Sequence, residues 1–295
     1  MTDMIHFLAA EPLYAALVTF LFSLLVGSFL NVVIYRMPVM MEREWQASLA
    51  EAKAAENPEA QATVDTEPTF NLATPASTCP ACRHKIRWYE NIPLISYLVL
   101  RGKCSACKTP ISLRYPAIEL LTAVLSVIAM QQFGFNEFGL AAVIFTWCLI
   151  SLTFIDIDHQ LLPDRITLPL LWLGLLINSQ NSFTSLGYAV WGAALGYLSL
   201  WSVYWLFKLI TGKEGMGYGD FKLLAALGAW CGATALPLLI LLSSVTGVIL
   251  AVGMMLFNRH EAKNPLPFGP YLAIAGWVAL LWGDKITLFY LQLLA

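Results

Sequence analysis

Eight apolar stretches, separated by short polar, Gly- or Pro-containing breaks, set the pattern of this chain. They fall at about residues 13–35, 117–133, 138–155, 166–180, 187–209, 221–236, 238–257 and 268–293. A helix crossing the hydrocarbon core of a bilayer needs about 20 mainly apolar residues, whereas a barrel strand needs only about ten and alternates. The uninterrupted runs therefore predict membrane helices, some of them short. Between the first two runs lies a long polar region with two halves of opposite charge. Glu42 to Glu67 carries seven acids and two bases and is rich in Ala. It predicts a helix to about Glu56 and then a loop from Asn57–Pro58 to Pro75. The second half, Cys79 to Arg114, carries seven bases and one acid, Glu90. The expected organisation is a first transmembrane helix (1–36), a loop (37–116) holding a small module (79–107), and a seven-helix membrane part (117–295).

Composition agrees with an all-α polytopic membrane protein of about eight transmembrane helices. The 295 residues are 58% hydrophobic and 12% charged, with a mean hydropathy of +0.67, where soluble domains carry about 25% charge. The net charge of −2 gives no reason to expect nucleic acid as a partner. No Lys or Arg precedes the first apolar run, so a cleavable signal peptide is not expected.

The bases orient the chain. With loop 36–116 on the cytoplasmic side, alternation places 156–165, 210–220 and 258–267 there too. Sixteen of the seventeen Lys and Arg lie in or beside these segments, Lys285 being the exception. This is a positive-inside pattern, and it predicts both termini outside.

Four cysteines form two Cys-x-x-Cys pairs, Cys79/Cys82 and Cys104/Cys107, with 21 residues between the pairs. Two tight turns, each presenting two sulfurs, suit a tetrahedral Zn²⁺ site with no open position, hence a structural one. The alternative is two disulfides or a redox dithiol, which need an oxidising or catalytic setting, and cytoplasmic thiols favour zinc over disulfide. Cys148 and Cys231 lie alone in apolar runs and read as small packing residues.

Carboxylates near hydrocarbon are costly and usually functional. Asp156, Asp158 and Asp164 follow one apolar run in Phe154-Ile155-Asp156-Ile157-Asp158-His159-Gln160-Leu161-Leu162-Pro163-Asp164, and Asp220 stands in Gly217-Tyr218-Gly219-Asp220, 64 residues beyond Asp156. Asp164 is read as the N-cap of the next helix, and Asp158 as solvated or supporting Asp156. Asp156 ends a helix, where a cation would be favoured. The glycines before Asp220 permit a peptide to approach closely. If Asp156 and Asp220 meet, they share a proton, and such a pair hydrolyses a peptide bond without a nucleophilic side chain or a catalytic metal. No Gly-x-Ser-x-Gly or His-Glu-x-x-His motif is present. A proton-coupled transporter and a membrane scaffold with a metal-bearing partner module are the competing classes. Further expectations are close helix contacts at Gly192/Gly196 and Gly228/Gly232, a rigid non-helical entry over Pro265–Pro270, and either packing or a polar-cavity role for Ser28 and Asn31.

With these residues in view, the chain resembles the bacterial type IV prepilin peptidases (prepilin leader peptidase/N-methyltransferases), a branch of the intramembrane Gly-x-Gly-Asp aspartic proteases. The resemblance rests on Gly27-Ser28-Phe29-Leu30-Asn31-Val32-Val33-Ile34-Tyr35-Arg36, the two Cys pairs, Arg114-Tyr115-Pro116 with Glu119-Leu120-Leu121, the Asp156 segment, and Gly217-Tyr218-Gly219-Asp220 with Lys222. It implies an inner-membrane enzyme that cuts the basic leader from prepilins and pseudopilins at a Gly/Phe-type bond on the cytoplasmic side, with the substrate's apolar helix still in the lipid bilayer. It also implies methylation of the new N-terminal amine with S-adenosylmethionine. Asp156 and Asp220 then correspond to the catalytic aspartates, and Cys79, Cys82, Cys104 and Cys107 to the zinc ligands. By analogy alone, the methyl-donor site is placed near the zinc module, with Gly102 as its candidate. Because the module is basic, the charge that recruits a basic leader is sought in Glu90, Glu119 or the aspartates.

Overall fold

In a computed structural model, residues 8–56, 69–256 and 267–294 are described. They form α1 (Pro12–Glu56), α2 (Ile95–Val99), α3 (Arg114–Phe133), α4 (Glu137–His159), α5 (Asp164–Asn178), α6 (Leu186–Thr211), α7 (Tyr218–Cys231), α8 (Leu236–Leu256) and α9 (Gly269–Leu294). Among the described residues there is no extended sheet; two isolated bridges, Thr78 with Lys85 and Lys103 with Pro110, are the only β pairings. Each predicted apolar run coincides with a helix. Six helices are long and apolar enough to cross a membrane, but α5 and α7 have only 15 and 14 residues. At 1.5 Å per residue they rise about 21–23 Å, short of the roughly 30 Å hydrocarbon core. Part of the loop expected over Asn57–Pro75, and most of 258–267, lie outside the described residues.

The chain divides into two compact units, one of residues 20–124 and one of residues 1–19 with 125–295. In the second unit α7 is the core element. Phe221, Leu223, Leu224, Leu227, Ala226 and Trp230 are fully buried. A helix that is apolar all round must be covered all round, and α5, α6 and α9 supply the cover. The contact with α6 is close enough to exclude side chains: a Cβ on Gly192 would meet Gly228 O at 2.2 Å, and one on Gly196 would meet Leu224 O at 2.7 Å. Gly232, expected as part of this contact, instead ends α7 in a left-handed turn (φ +85) against Thr184. The far end of α7 is tied by Asn178, whose Nδ2 donates to Ala229 O (2.8 Å) and Trp230 O (3.1 Å), while Trp230 Nε1 donates to Leu170 O (2.8 Å). α7 is thus held along its whole length, which fixes whatever its first turn carries.

In the first unit, α1 runs on past Pro38 as one element. Proline removes one helical hydrogen bond, but the Ala-, Glu-, Lys- and Arg-containing sequence to Glu56 favours helix strongly enough to resume it. Arg36 donates to Asn71 O (2.9 Å) and Pro75 O (2.6 Å), and Arg43 stacks over Phe70 at 4.6 Å. These contacts dock the segment that enters the cysteine module.

Candidate active site and metal centre

Asp156 lies in the last turn of α4. That helix ends at Gln160 in left-handed conformation (φ 52), its N–H donating to Asp156 O at 2.9 Å. Leu161, Leu162 and Pro163 then lead straight into α5. Asp220 is the third residue of α7, after an extended Gly217. Both carboxylates are buried, at 5% and 8% exposure. Leu162 lies against Gly219, the residue before Asp220, and against Gly269: a Cβ on Gly219 would meet Leu162 Cβ at 2.8 Å, and one on Gly269 would meet Leu162 Cδ2 at 3.0 Å. The end of α4, the start of α7 and the start of α9 therefore converge. Tyr204, Tyr218 and Phe221 form a ring cluster with centroids 5.3–5.6 Å apart beside the first turn of α7.

The third partner comes from the Pro265–Pro270 entry, where Gly269 and Pro270 are already helical and not part of the non-helical lead-in expected there. Gly269 opens α9 and donates its N–H to Asp156 Oδ2 at 2.9 Å. This N–H is one of those a helix start leaves without an internal acceptor, and Asp156 caps it from another helix. A Cβ at Gly269 would lie 2.6 Å from the same oxygen. The Gly-Pro punctuation of Pro267–Pro270 marked a break in the chain, but nothing local named the carboxylate it would reach.

The remaining acids separate clearly. Asp158 is exposed. Asp164 is not the N-cap of α5, as the sequence led us to expect: Pro163 holds that position, with extended backbone, and Asp164 is the first helical residue. Its carboxylate turns instead to Lys222 Nζ, at 2.7 and 2.8 Å, linking α5 to the second turn of α7. A long-range cation outcompeted a local amide here, because ionic hydrogen bonds are the stronger kind.

Within the other unit, the four predicted cysteines come together. All four Sγ atoms lie within 4.8 Å of one another, and Cys79 and Cys107 are 3.8 Å apart. The two turns repeat one geometry. Arg83 and Lys108 follow the pairs with φ 58 and 61, donating to Cys79 O (2.9 Å) and Cys104 O (3.1 Å). Cys79 and Cys104 donate their N–H to His84 O and Thr109 O, both at 2.9 Å. Backbone hydrogen bonds from Cys82 and Ala81 lower the Cys79 pKa, and Thr109 brings that of Cys107 down to about 6, while against a lowering His84 amide the neighbouring sulfurs, Cys107 first, push Cys82 up to about 11. A tetrahedron of sulfurs about 2.3 Å from a central ion has edges of about 3.8 Å, so the donor set fits a metal.

Gly102 sits at the corner between α2 and the second turn. Its φ is +67, and a Cβ there would lie 2.8 Å from Tyr97 Oη. Glu90 faces inward: it accepts from Arg87 N (2.9 Å), contacts His84 Nε2 (3.2 Å), and is held at about 2, chiefly by the Arg87 amide. It is built into the module and is not a free recruiting charge. Glu119 is buried, accepting from Leu94 N (3.0 Å) and hydrogen-bonding Ser28. Asn31 donates to Tyr115 O (3.2 Å). Ser28 and Asn31 thus tie α1 to the start of α3, beside a helix contact in which a Cβ on Gly27 would meet Glu119 Cα at 2.8 Å.

Comparison with known proteins shows the family. Residues 21–133 match the bacterial peptidase A24 N-terminal domain, and residues 143–252 match the Type IV leader peptidase family. Three similar proteins all bear the name prepilin leader peptidase/N-methyltransferase. That of Stutzerimonas stutzeri is 58% identical over 98% of both chains. That of Aeromonas hydrophila is 60% identical over 95% of this chain and 94% of its own, and that of Pseudomonas aeruginosa is 58% identical over 98% of both. No solved structure matches the chain. With near-full-length relatives at this identity, two buried aspartates brought together from separate helices and a four-cysteine cluster, the chain belongs to the Type IV leader peptidase family.

Proposed function

We propose that this chain is a membrane aspartic endopeptidase that removes the leader from type IV prepilins and pseudopilins and then N-methylates the new N-terminus, with Asp156 and Asp220 as its catalytic pair. The observation that carries the proteolytic reading is the convergence of these two buried carboxylates beside the start of α9. Two carboxylates that face one another hold one proton between them. The ionised one takes a proton from water as the water oxygen attacks the scissile carbonyl. The protonated one donates a hydrogen bond to the carbonyl oxygen and stabilises the charge that develops there. Collapse of the tetrahedral species breaks the C–N bond, and the proton taken from water passes to the leaving amine. Gly269 N–H holds the Asp156 carboxylate in one orientation throughout. Leu162 packs against both Gly219 and Gly269.

Cys79, Cys82, Cys104 and Cys107 would hold Zn²⁺, the ion suited to four thiolates. With every coordination position filled by sulfur, it supplies folding stability to the module and no Lewis-acid step. The charge pattern supports an inner-membrane orientation with module and aspartates cytoplasmic and both termini periplasmic. The substrate's apolar helix then stays in the bilayer while its leader meets the aspartates at the cytoplasmic face. S-adenosylmethionine supplies the methyl group. Gly102 is our candidate beside that donor, although Tyr97 already fills the space a side chain would take, so Gly102 by itself opens no cradle for a nucleoside and no step is assigned to it.

The test is cleavage of a purified prepilin by the parent and by Asp156→Asn, Asp220→Asn and Asp158→Asn. Asn keeps the size but cannot share the proton. The first two variants should be inactive, with metal content and thermal unfolding unchanged, and Asp158→Asn should remain active. Cleavage by both Asp156→Asn and Asp220→Asn at parental rates rules the pair out. For Gly102→Asp, the expected result is lost methylation with cleavage and zinc retained; loss of zinc would make its role purely structural.

A further inference from the structure

The metal-binding module exposes an apolar face that neither catalytic reading uses. On α2, Ile95, Leu98 and Val99 occupy positions i, i+3 and i+4, hence one side of the helix. They are 60%, 73% and 74% exposed. Trp88, at 82%, and Leu113, at 72%, are equally bare. The other side of α2 is half-buried, with Tyr97 against Gly102 and Ser96 Oγ donating to Ile92 O at 2.8 Å. So the exposed residues form the outward face of an anchored helix. Of the module's bases, Arg87 directly precedes Trp88, and Arg101 and Lys103 follow the end of α2 by two and four residues; these and Lys85 and Lys108 are all exposed. The one acid of the module, Glu90, is turned inward.

The height of this face relative to the membrane can be worked out within the same unit. Arg114 begins α3, an apolar helix of 20 residues, which matches the hydrocarbon thickness at 1.5 Å per residue. Glu119 is five residues in, about 7–8 Å along the axis. Its carboxylate accepts from Leu94 N at 3.0 Å, and Leu94 is the residue before α2. The start of α2 is therefore pinned level with the second turn of a membrane helix. Leu113, directly before α3, sits at the same boundary. The headgroup layer is only about 5–8 Å deep on each side. Apolar side chains held at that level meet lipid, and bases beside them meet headgroups.

We infer that the outer face of α2, with Trp88 and Leu113, docks on the bilayer surface and that the surrounding bases select anionic phospholipid headgroups. The combination of aromatic and aliphatic insertion with a basic rim is that of an interfacial segment. The inference does not depend on the protease assignment.

The experiment uses the full-length, zinc-loaded protein in nanodiscs of phosphatidylcholine alone or with phosphatidylglycerol. Hydrogen exchange is followed over 88–101. The Trp88 signal, taken as parent minus Trp88→Phe, is followed during quenching by lipids brominated on the acyl chains. The expected result is quenching of Trp88 and about tenfold slower exchange in the anionic discs, since each base near such a surface is worth about fivefold. Arg101→Gln/Lys103→Gln leaves the apolar face intact and should remove the lipid dependence. Leu98→Glu/Val99→Glu should abolish both signals with zinc retained. Equal exchange in the two lipids overturns the headgroup selection, and an unquenched Trp88 overturns the docking. Protection that arises only when a prepilin is added assigns the face to substrate and likewise overturns the inference.

Discussion

Adding one methyl group at Gly269 tests the geometry of the site most sharply. A Cβ there would lie 2.6 Å from Asp156 Oδ2, where ordinary contact begins at 3.4 Å. The carboxylate must retreat by the difference, 0.8 Å, and Leu162 Cδ2, at 3.0 Å from the same point, limits how far it can swing. The move stretches the 2.9 Å bond from Gly269 N–H. A hydrogen bond to a charged group contributes about 1.5–3 kcal/mol, and a misplacement of about 1 Å at a reacting centre costs up to about 10²-fold. Gly269→Ala should therefore lower the rate of leader cleavage about 10- to 100-fold under single-turnover conditions. Alanine favours helix over glycine, so α9 should not be weakened and the unfolding temperature should hold or rise. Gly187→Ala is the control, because nothing lies within 4 Å of its added methyl. If Gly269→Ala cleaves at the parental rate, Asp156 does not depend on the start of α9 and the site geometry described here is wrong.

Other consequences are directly measurable. Gly192→Ala and Gly228→Ala each press a methyl onto a backbone carbonyl at 2.1–2.2 Å, so each should destabilise by about 1–3 kcal/mol or more, read as a lower unfolding temperature together with reduced cleavage; unchanged stability would refute the α6–α7 contact. The Asp164–Lys222 pair is partly exposed, at 51% and 30% of the side chains, so its coupling should be only about 0.2–1 kcal/mol in a double-mutant cycle. Asp164→Asn and Lys222→Met should slow cleavage a few-fold without raising KM, and the charge-reversed pair should recover part of that loss. Cys82→Ser, or removal of the ion by a chelator, should unfold the module, since four-thiolate zinc contributes folding energy directly; proteolytic cutting between residues 79 and 113 would report it, and resistance equal to the parent would argue against a structural metal.

Much of this organisation could be read along the chain because the membrane imposes long-period rules. Backbone groups in lipid must bond within their own helix, so each apolar run had to become one, and all eight did. The Cys-x-x-Cys pairs were equally legible, as ligand spacing on a tight turn is a local property. The pairing of Asp156 with Asp220 could be suspected from chemistry, but the convergence required α7 to be packed between α5, α6 and α9. That depends on which glycines meet which carbonyls. Gly192 and Gly228 were visible as small residues, whereas Gly232, at a similar spacing, turned out to be a turn residue; sequence spacing cannot distinguish the two.

Where the sequence reading missed, a distant partner had displaced a local one. Asp164 stood where a helix cap belongs and took Lys222 instead. Glu90 is the exception: sought as a recruiting charge, it is held by neighbours along the chain, the Arg87 amide and His84. The capping of α9 by Asp156, 113 residues away, has no trace in the local pattern around either residue. The apolar helices, the grouping of four cysteines on two tight turns and the residue types of the two aspartates follow from residue type and period, which are properties of the chain itself. Which carboxylate faces which amide, which glycine must lack a side chain and which apolar face is left uncovered were decided only by folding, because each depends on atoms brought together from opposite ends of the sequence.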